Sequence, residues 1–179
     1  MKTINLLVAI LIYFPTNAFC QKQNNTEKEL QEIPNAEIYN NISFDNLENY
    51  NSQTVSLSEF KGKLVIVDFW AKYCVSCIRN FSKIDSLQQV LASQVQFILV
   101  TANSKKEIDD LFSKPQYNGK LKMPKLIPSI RGDSVLTTLF DYREFPQLFF
   151  VLNKEGKIIK LFQGYAEPAT ITKLLAGNF

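Results

Sequence analysis

The sequence predicts an α/β fold, and three features carry that reading. Leu64 to Trp70 and Val95 to Thr101 are apolar runs almost without polar alternation, as in strands covered on both faces. Between them, Val75 to Leu91 places Ile78, Phe81, Ile84, Leu87 and Leu91 at spacings of three and four, one face of a helix. Near the C-terminus, Leu148 to Leu152 and Lys157 to Phe162 flank Asn153-Lys154-Glu155-Gly156, a hairpin turn. The predicted order is β-α-β-α followed by β-β-α, without internal repeats. The length of 179 residues suits one domain with a substantial core.

The N-terminus reads as an export signal over residues 1–20. Lys2 gives a positive start, Ile4 to Phe14 is apolar, and Pro15 and Asn17 break the run. The run falls short of the roughly 18 residues needed to span a bilayer. Ala18-Phe19-Cys20 offers small residues on either side of Phe19 for cleavage before Gln21. Cys20 also admits a second reading, as the lipidated cysteine of a bacterial lipoprotein. The bulky Phe19 argues for plain cleavage. Both readings place the mature protein outside the cytoplasm, in the bacterial periplasm. Membrane contact follows only if Cys20 is lipidated. Residues 21–35 are polar and aperiodic, a flexible leader, and the domain is expected over 36–179.

Within the domain, Ile38 to Leu47 and Thr54 to Leu57 flank the turn-rich Asn49-Tyr50-Asn51-Ser52 and predict an N-terminal β-hairpin. Ser104 followed by Glu107 forms a capping box for a helix through Phe112. Lys114 to Lys125 holds Pro115, Gly119, Pro124 and four lysines, and is expected to be a solvated loop. Asp133 is placed to cap a short helix through Phe140. Pro168 suits the first turn of a final helix, Ala169 to Leu175.

The net charge is only +3, and no Lys/Arg stripe runs along the chain, so nucleic acid is not an expected partner. The cysteines are Cys20, Cys74 and Cys77, and there is no histidine. Four readings of the Cys74-Val75-Ser76-Cys77 segment compete. A zinc site needs four ligands, and too few Cys and His remain to supply them. Covalent haem attachment needs His after the second cysteine, where Ile78 stands. A purely structural disulfide is compatible with an oxidising compartment, but it closes so short a loop that its entropic gain is small. The redox reading uses everything present: a strand, a turn, a helix start and two thiols one helical turn apart. Cys74 is expected at the helix N-terminus, where unpaired N–H groups and the helix dipole favour a thiolate. Cys77 lies inside the first turn, more buried, placed to resolve a mixed disulfide. No metal or cofactor is expected.

Val67-Asp68-Phe69-Trp70-Ala71 followed by Cys74-Val75-Ser76-Cys77 closely resembles the active-site segment of thioredoxins. With its exported start, N-terminal hairpin and Glu155-Gly156-Lys157 turn, residues 36–179 resemble the extracytoplasmic thioredoxin-like proteins of the TlpA/ResA type. The resemblance implies a thioredoxin fold, a mixed central sheet flanked by helices, with a β-hairpin extension. It implies a thiol–disulfide oxidoreductase with Cys74 as nucleophile and Cys77 as resolving residue. Asp68, the one acid in its strand, would lie buried behind the pair and carry protons. Its alternative is a partly exposed strand-end aspartate. Phe145-Pro146 stands where the family carries a cis-proline loop facing the cysteines and holding extended substrate. Trp70 and Tyr73 flank the site, either as packing or as substrate-docking residues. The implied partners are exported client proteins with cysteine thiols or disulfides, apocytochrome c among them, and a membrane-embedded electron donor.

The chain also departs from the family. Val75-Ser76 replaces the Gly-Pro of thioredoxin, Asn80 and Ser82 replace a helix Glu and Pro, and Phe145 is bulky before the proline. A disulfide-donating oxidase of the same fold, and a non-catalytic binding module with a structural disulfide, stay open beside the reductase. A peroxidase is disfavoured by Ala71, where peroxiredoxins carry Thr or Ser.

Overall fold

The computed structural model describes residues 42–60, 62–117, 120–140, 145–152 and 157–177. The signal segment with Cys20, the polar leader, the beginning of the expected domain and the turn Asn153 to Gly156 lie outside the described residues.

Among the described residues six strands form one mixed sheet, in the order β2 (Leu47–Glu48), β6 (Ser129–Arg131), β5 (Val95–Thr101), β4 (Leu64–Phe69), β7 (Gln147–Leu152) and β8 (Lys157–Gln163). Its centre is β4 (Leu64–Phe69), buried along its whole length. On one side β4 runs parallel to β5 (Val95–Thr101), and on the other antiparallel to β7 (Gln147–Leu152). The parallel pair is joined by helix α1 (Val75–Leu91), as the alternation of apolar runs and helical periodicity requires. The antiparallel side closes with β8 (Lys157–Gln163).

The N-terminal hairpin is present as β1 (Ser43–Asp45) paired with β3 (Thr54–Ser56). Its connection is more than a turn. It contains β2 (Leu47–Glu48), which leaves the hairpin and adds antiparallel to β6 (Ser129–Arg131) at the edge of the main sheet. Asn46 and Asn49, both at positive φ, bend the chain on either side of β2. The Asn49 side-chain amide then donates to the Pro124 carbonyl at 2.9 Å and anchors the hairpin to the basic loop. That loop contains no helix or strand among the described residues. Its four lysines are exposed while Leu121 and Met123 pack inward.

Helix α2 (Lys105–Ser113) begins at Ser104 with the full capping box. Helix α3 (Val135–Phe140) begins where the Asp133 carboxylate accepts from the amides of Leu136 and Thr137 at 3.2 and 2.8 Å. Helix α4 (Pro168–Leu175) has proline in its first turn, where the missing N–H costs nothing.

The period of two along β4 sorts its side chains to two cores. Leu64, Ile66 and, just past the strand, Trp70 pack with Ile78, Phe81 and Ile84 of α1 and Ile171 and Leu174 of α4. Val65, Val67 and Phe69 pack with Phe44, Val55, Phe60 and Leu136 on the opposite face. Both cysteines lie in the first of these cores.

Candidate active site

The site is built where β4 stops pairing and α1 begins. Strand-like bonding continues one residue past β4, as the Trp70 amide donates to the Val100 carbonyl at 3.0 Å. The chain then turns, with the Cys74 amide donating to the Ala71 carbonyl at 2.9 Å. Cys74 is the N-cap of α1. Its Sγ accepts from the Cys77 amide at 3.3 Å, the place usually filled by a Ser, Thr, Asn or Asp oxygen. The sulfur therefore meets the positive end of the helix and one of its unpaired amides together. The two cysteines are joined in a disulfide with Cα atoms 5.3 Å apart. Cys77 is the more buried, at 3% exposed against 7% for Cys74.

Asp68 alternates with Ile66 and Trp70 on the α1 face of β4, the face that also holds the cysteines. It is buried, and loss of water raises its carboxyl from the usual carboxylate range to about 8. Trp70 is 1% exposed and packs edge-on against Phe81, with ring centroids 5.0 Å apart. Trp70 therefore forms the floor of the site. Tyr73, 69% exposed, forms the rim. The Tyr73 ring meets Phe145 edge-on at 5.8 Å, which brings the 145–146 loop against the turn before Cys74. The Phe145–Pro146 peptide is cis, and the Pro146 carbonyl accepts from the Gly164 amide at 3.1 Å.

A second anchor was not legible in the sequence. The Lys72 amide donates to Asn103 Oδ1 at 2.9 Å, and Lys72 Nζ pairs with Glu107 Oε1 at 2.5 Å. One residue of the active-site turn is thus held at backbone and side chain by the segment linking β5 to α2. Glu107 accepts from Lys72 and from the Ser104 backbone, and these bonds pull its carboxyl down to about 2. The capping box was readable from residue types. The added grip on Lys72 was not, because its partners are 31 and 35 positions away.

The redoxin family profile matches residues 28–175. The chain belongs to the redoxin family. Within it, this redoxin is a thioredoxin-like protein of the TlpA/ResA type. It is 28% identical to the thiol-disulfide oxidoreductase ResA of Bacillus subtilis over 119 residues, 66% of this chain and 63% of ResA. The chain thus spans less than two thirds of that relative's length. The pneumococcal exposed lipoprotein thioredoxin from Streptococcus pneumoniae is 27% identical with a TM-score of 0.55, covering 69% of this chain and 91% of that one. A Chlorobium tepidum structure described as a thiol:disulfide interchange protein DsbE shares the fold. Its TM-score is 0.58 at 19% identity, over 77% of this chain and 93% of that one. The fold is thioredoxin-like, and the family and its relatives support an oxidoreductase.

Proposed function

We propose that this redoxin is an extracytoplasmic thiol–disulfide oxidoreductase that reduces disulfides of client proteins. The observation that carries the reading is the placement of Cys74 Sγ on the N-terminus of α1, with Cys77 bonded to it from inside the first turn. The apolar signal-like start and the likeness to an exposed lipoprotein thioredoxin support the location.

In the reduced protein the Cys74 thiolate attacks one sulfur of a client disulfide. A Cys74–client S–S bond forms, the client S–S bond breaks, and the released client sulfur leaves as a thiolate that takes up a proton. Cys77 gives up its proton to the ionised fraction of Asp68, which grows as pH approaches about 8, and attacks Cys74 Sγ. The Cys74–Cys77 disulfide forms and the second client sulfur leaves. The client gains two electrons from the redoxin, and its two thiolates take up one proton equivalent released by Cys77 through Asp68 and one from solvent. A dithiol donor, membrane-embedded in this reading, restores the two electrons and the Cys77 proton. Tyr73, Phe145 and Pro146 frame the client's approach, with Trp70 beneath them.

Two measurements test this. Equilibration of the Cys74–Cys77 pair with a thiol buffer is expected to give a potential near that of thioredoxin, about −270 mV. A value near about −120 mV makes the protein a disulfide donor instead. The Cys77→Ala variant is expected to accumulate a client mixed disulfide at Cys74. If none forms with exported disulfide proteins, a non-catalytic binding module with a structural disulfide becomes the better reading.

A further inference from the structure

The two residues between the cysteines are Val75 and Ser76, both exposed, and they differ in what they can do for a sulfur. Val75 has no polar side-chain atom. The Ser76 hydroxyl lies 3.6 Å from Cys74 Sγ, within reach of a sulfur hydrogen bond. Ser76 is the second residue of α1, so its backbone is fixed by the helix while its hydroxyl remains free to rotate. Disulfide sulfur is a weak acceptor. A thiolate is charged, and hydrogen bonds to charged acceptors are roughly twice as strong. The Cys77 amide already occupies one side of the sulfur at 3.3 Å. Among the described hydrogen bonds, Ser76 provides the side-chain group that faces Cys74 Sγ.

We propose that Ser76 is a catalytic residue whose hydroxyl donates to the Cys74 thiolate, forming with the Cys77 amide a two-donor cradle that stabilises the reduced nucleophile. This rests on the redox reading of the pair and deepens it. Reduction adds two electrons to the Cys74–Cys77 bond. One proton goes to Cys77, and Cys74 remains an anion held by Ser76 Oγ–H and the Cys77 N–H. A dithiol supplies the electrons and the Cys77 proton, releases its other proton to solvent and becomes a disulfide. Holding the anion stabilises the reduced form, so Ser76 makes the pair a stronger oxidant than an apolar residue at the same place would.

The test needs no client. In the Cys77→Ala background, trypsin releases residues 73–79 with Cys74 as their only thiol, distinct from Cys20. The rate of Cys74 alkylation by iodoacetamide against pH is then read by mass spectrometry. Adding Ser76→Ala is expected to move the midpoint up by about one pH unit, roughly a tenfold loss of rate below the midpoint. Ser76→Thr keeps the hydroxyl and is expected to restore the midpoint. With both cysteines present, Ser76→Ala is expected to make the potential more negative by about 30 mV for a tenfold change. An unchanged midpoint in Ser76→Ala, or an equal shift in Ser76→Thr, overturns the assignment. Failure to reduce clients would instead count against the proposed function, because the thiol titration stands whether or not a client reacts.

Discussion

Asp68 sits in the middle of an apolar strand, and water is what it lacks. Burial raises its carboxyl to about 8, so it keeps its proton in the folded protein at neutral pH. In the unfolded chain the same group ionises near an ordinary aspartate value of about 3.9. Between these values the folded state binds the extra proton. Its stabilising contribution is complete below about pH 4, falls as pH rises, and is exhausted once pH passes about 8. The slope approaches ~1.4 kcal/mol per pH unit for one proton. Asp68→Asn is expected to remove that slope and to be the more stable protein at pH 8. Urea unfolding of the disulfide form at pH 5 and pH 8 measures it, and parallel pH dependences in the two proteins would refute the assignment. At pH 8, where the Asp68 carboxylate is populated, the same substitution is expected to slow resolution of the mixed disulfide by about 100-fold, since a positioned proton acceptor contributes on that order.

At the scale of elements, the turn from residue 71 to 74 depends on the segment that follows β5. Asn103 Oδ1 accepts from the Lys72 amide at 2.9 Å and from the Thr101 hydroxyl at 3.3 Å. Asn103→Ala leaves both donors without that acceptor and is expected to cost about 1–2 kcal/mol in unfolding free energy. Asn103→Asp keeps an acceptor oxygen there and should recover most of the loss. Equal destabilisation in the two variants would show that the bond to Lys72 is not what matters. Helix α1 needs no such help along its length. Its apolar face recurs at the right period, and Gln88 at its C-terminal end satisfies the β5 backbone, accepting from the Phe97 amide at 2.8 Å and donating to the Val95 carbonyl at 3.2 Å.

Across the whole molecule, the N-terminal extension is tied to the sheet by little backbone: β2 pairs with β6 through only Leu47–Ile130 and Glu48–Ser129. Arg131 reinforces that seam. Its side chain, 11% exposed, holds Glu48 on β2 through Nη2 at 2.5 Å and Asp109 on α2 through Nη1 at 3.0 Å. The planar guanidinium suits this double task in a way a lysine would not. Arg131→Met is expected to destabilise the protein by about 1–2 kcal/mol, below the cost of breaking a fully buried pair, because Asp109 is half exposed. Hydrogen exchange is expected to quicken around Phe44, Leu47 and Val55 while β4 and α1 keep their protection. Uniform loss across the sheet would argue instead that the extension and the core open as one unit.

Periodicity and local chemistry sufficed for α1, β4 and β5, the capping box at Ser104 and Glu107, the Asp133 cap and the proline that starts α4. Each of these signals is complete within about one or two turns of chain. The place of the Cys74–Cys77 pair was legible for the same reason, since an apolar strand running into a helix fixes where it must lie; the burial of Asp68 followed only from the family resemblance, with a partly exposed strand end as its alternative. The strands β2 and β6 were not legible. Two or three residues carry no period, and only pairing with each other and with β5 makes them strands. The division of labour between Trp70 and Tyr73 was equally open until packing decided it: the indole lies against Phe81 and the phenol against Phe145. By itself, then, the sequence determined the cysteine pair and the elements that hold it. Only the tertiary structure decided the surroundings of that pair, because the hold on Lys72, the contact of Phe145 with Tyr73 and the Arg131 tie join residues far apart in the chain, and no local pattern records such contacts.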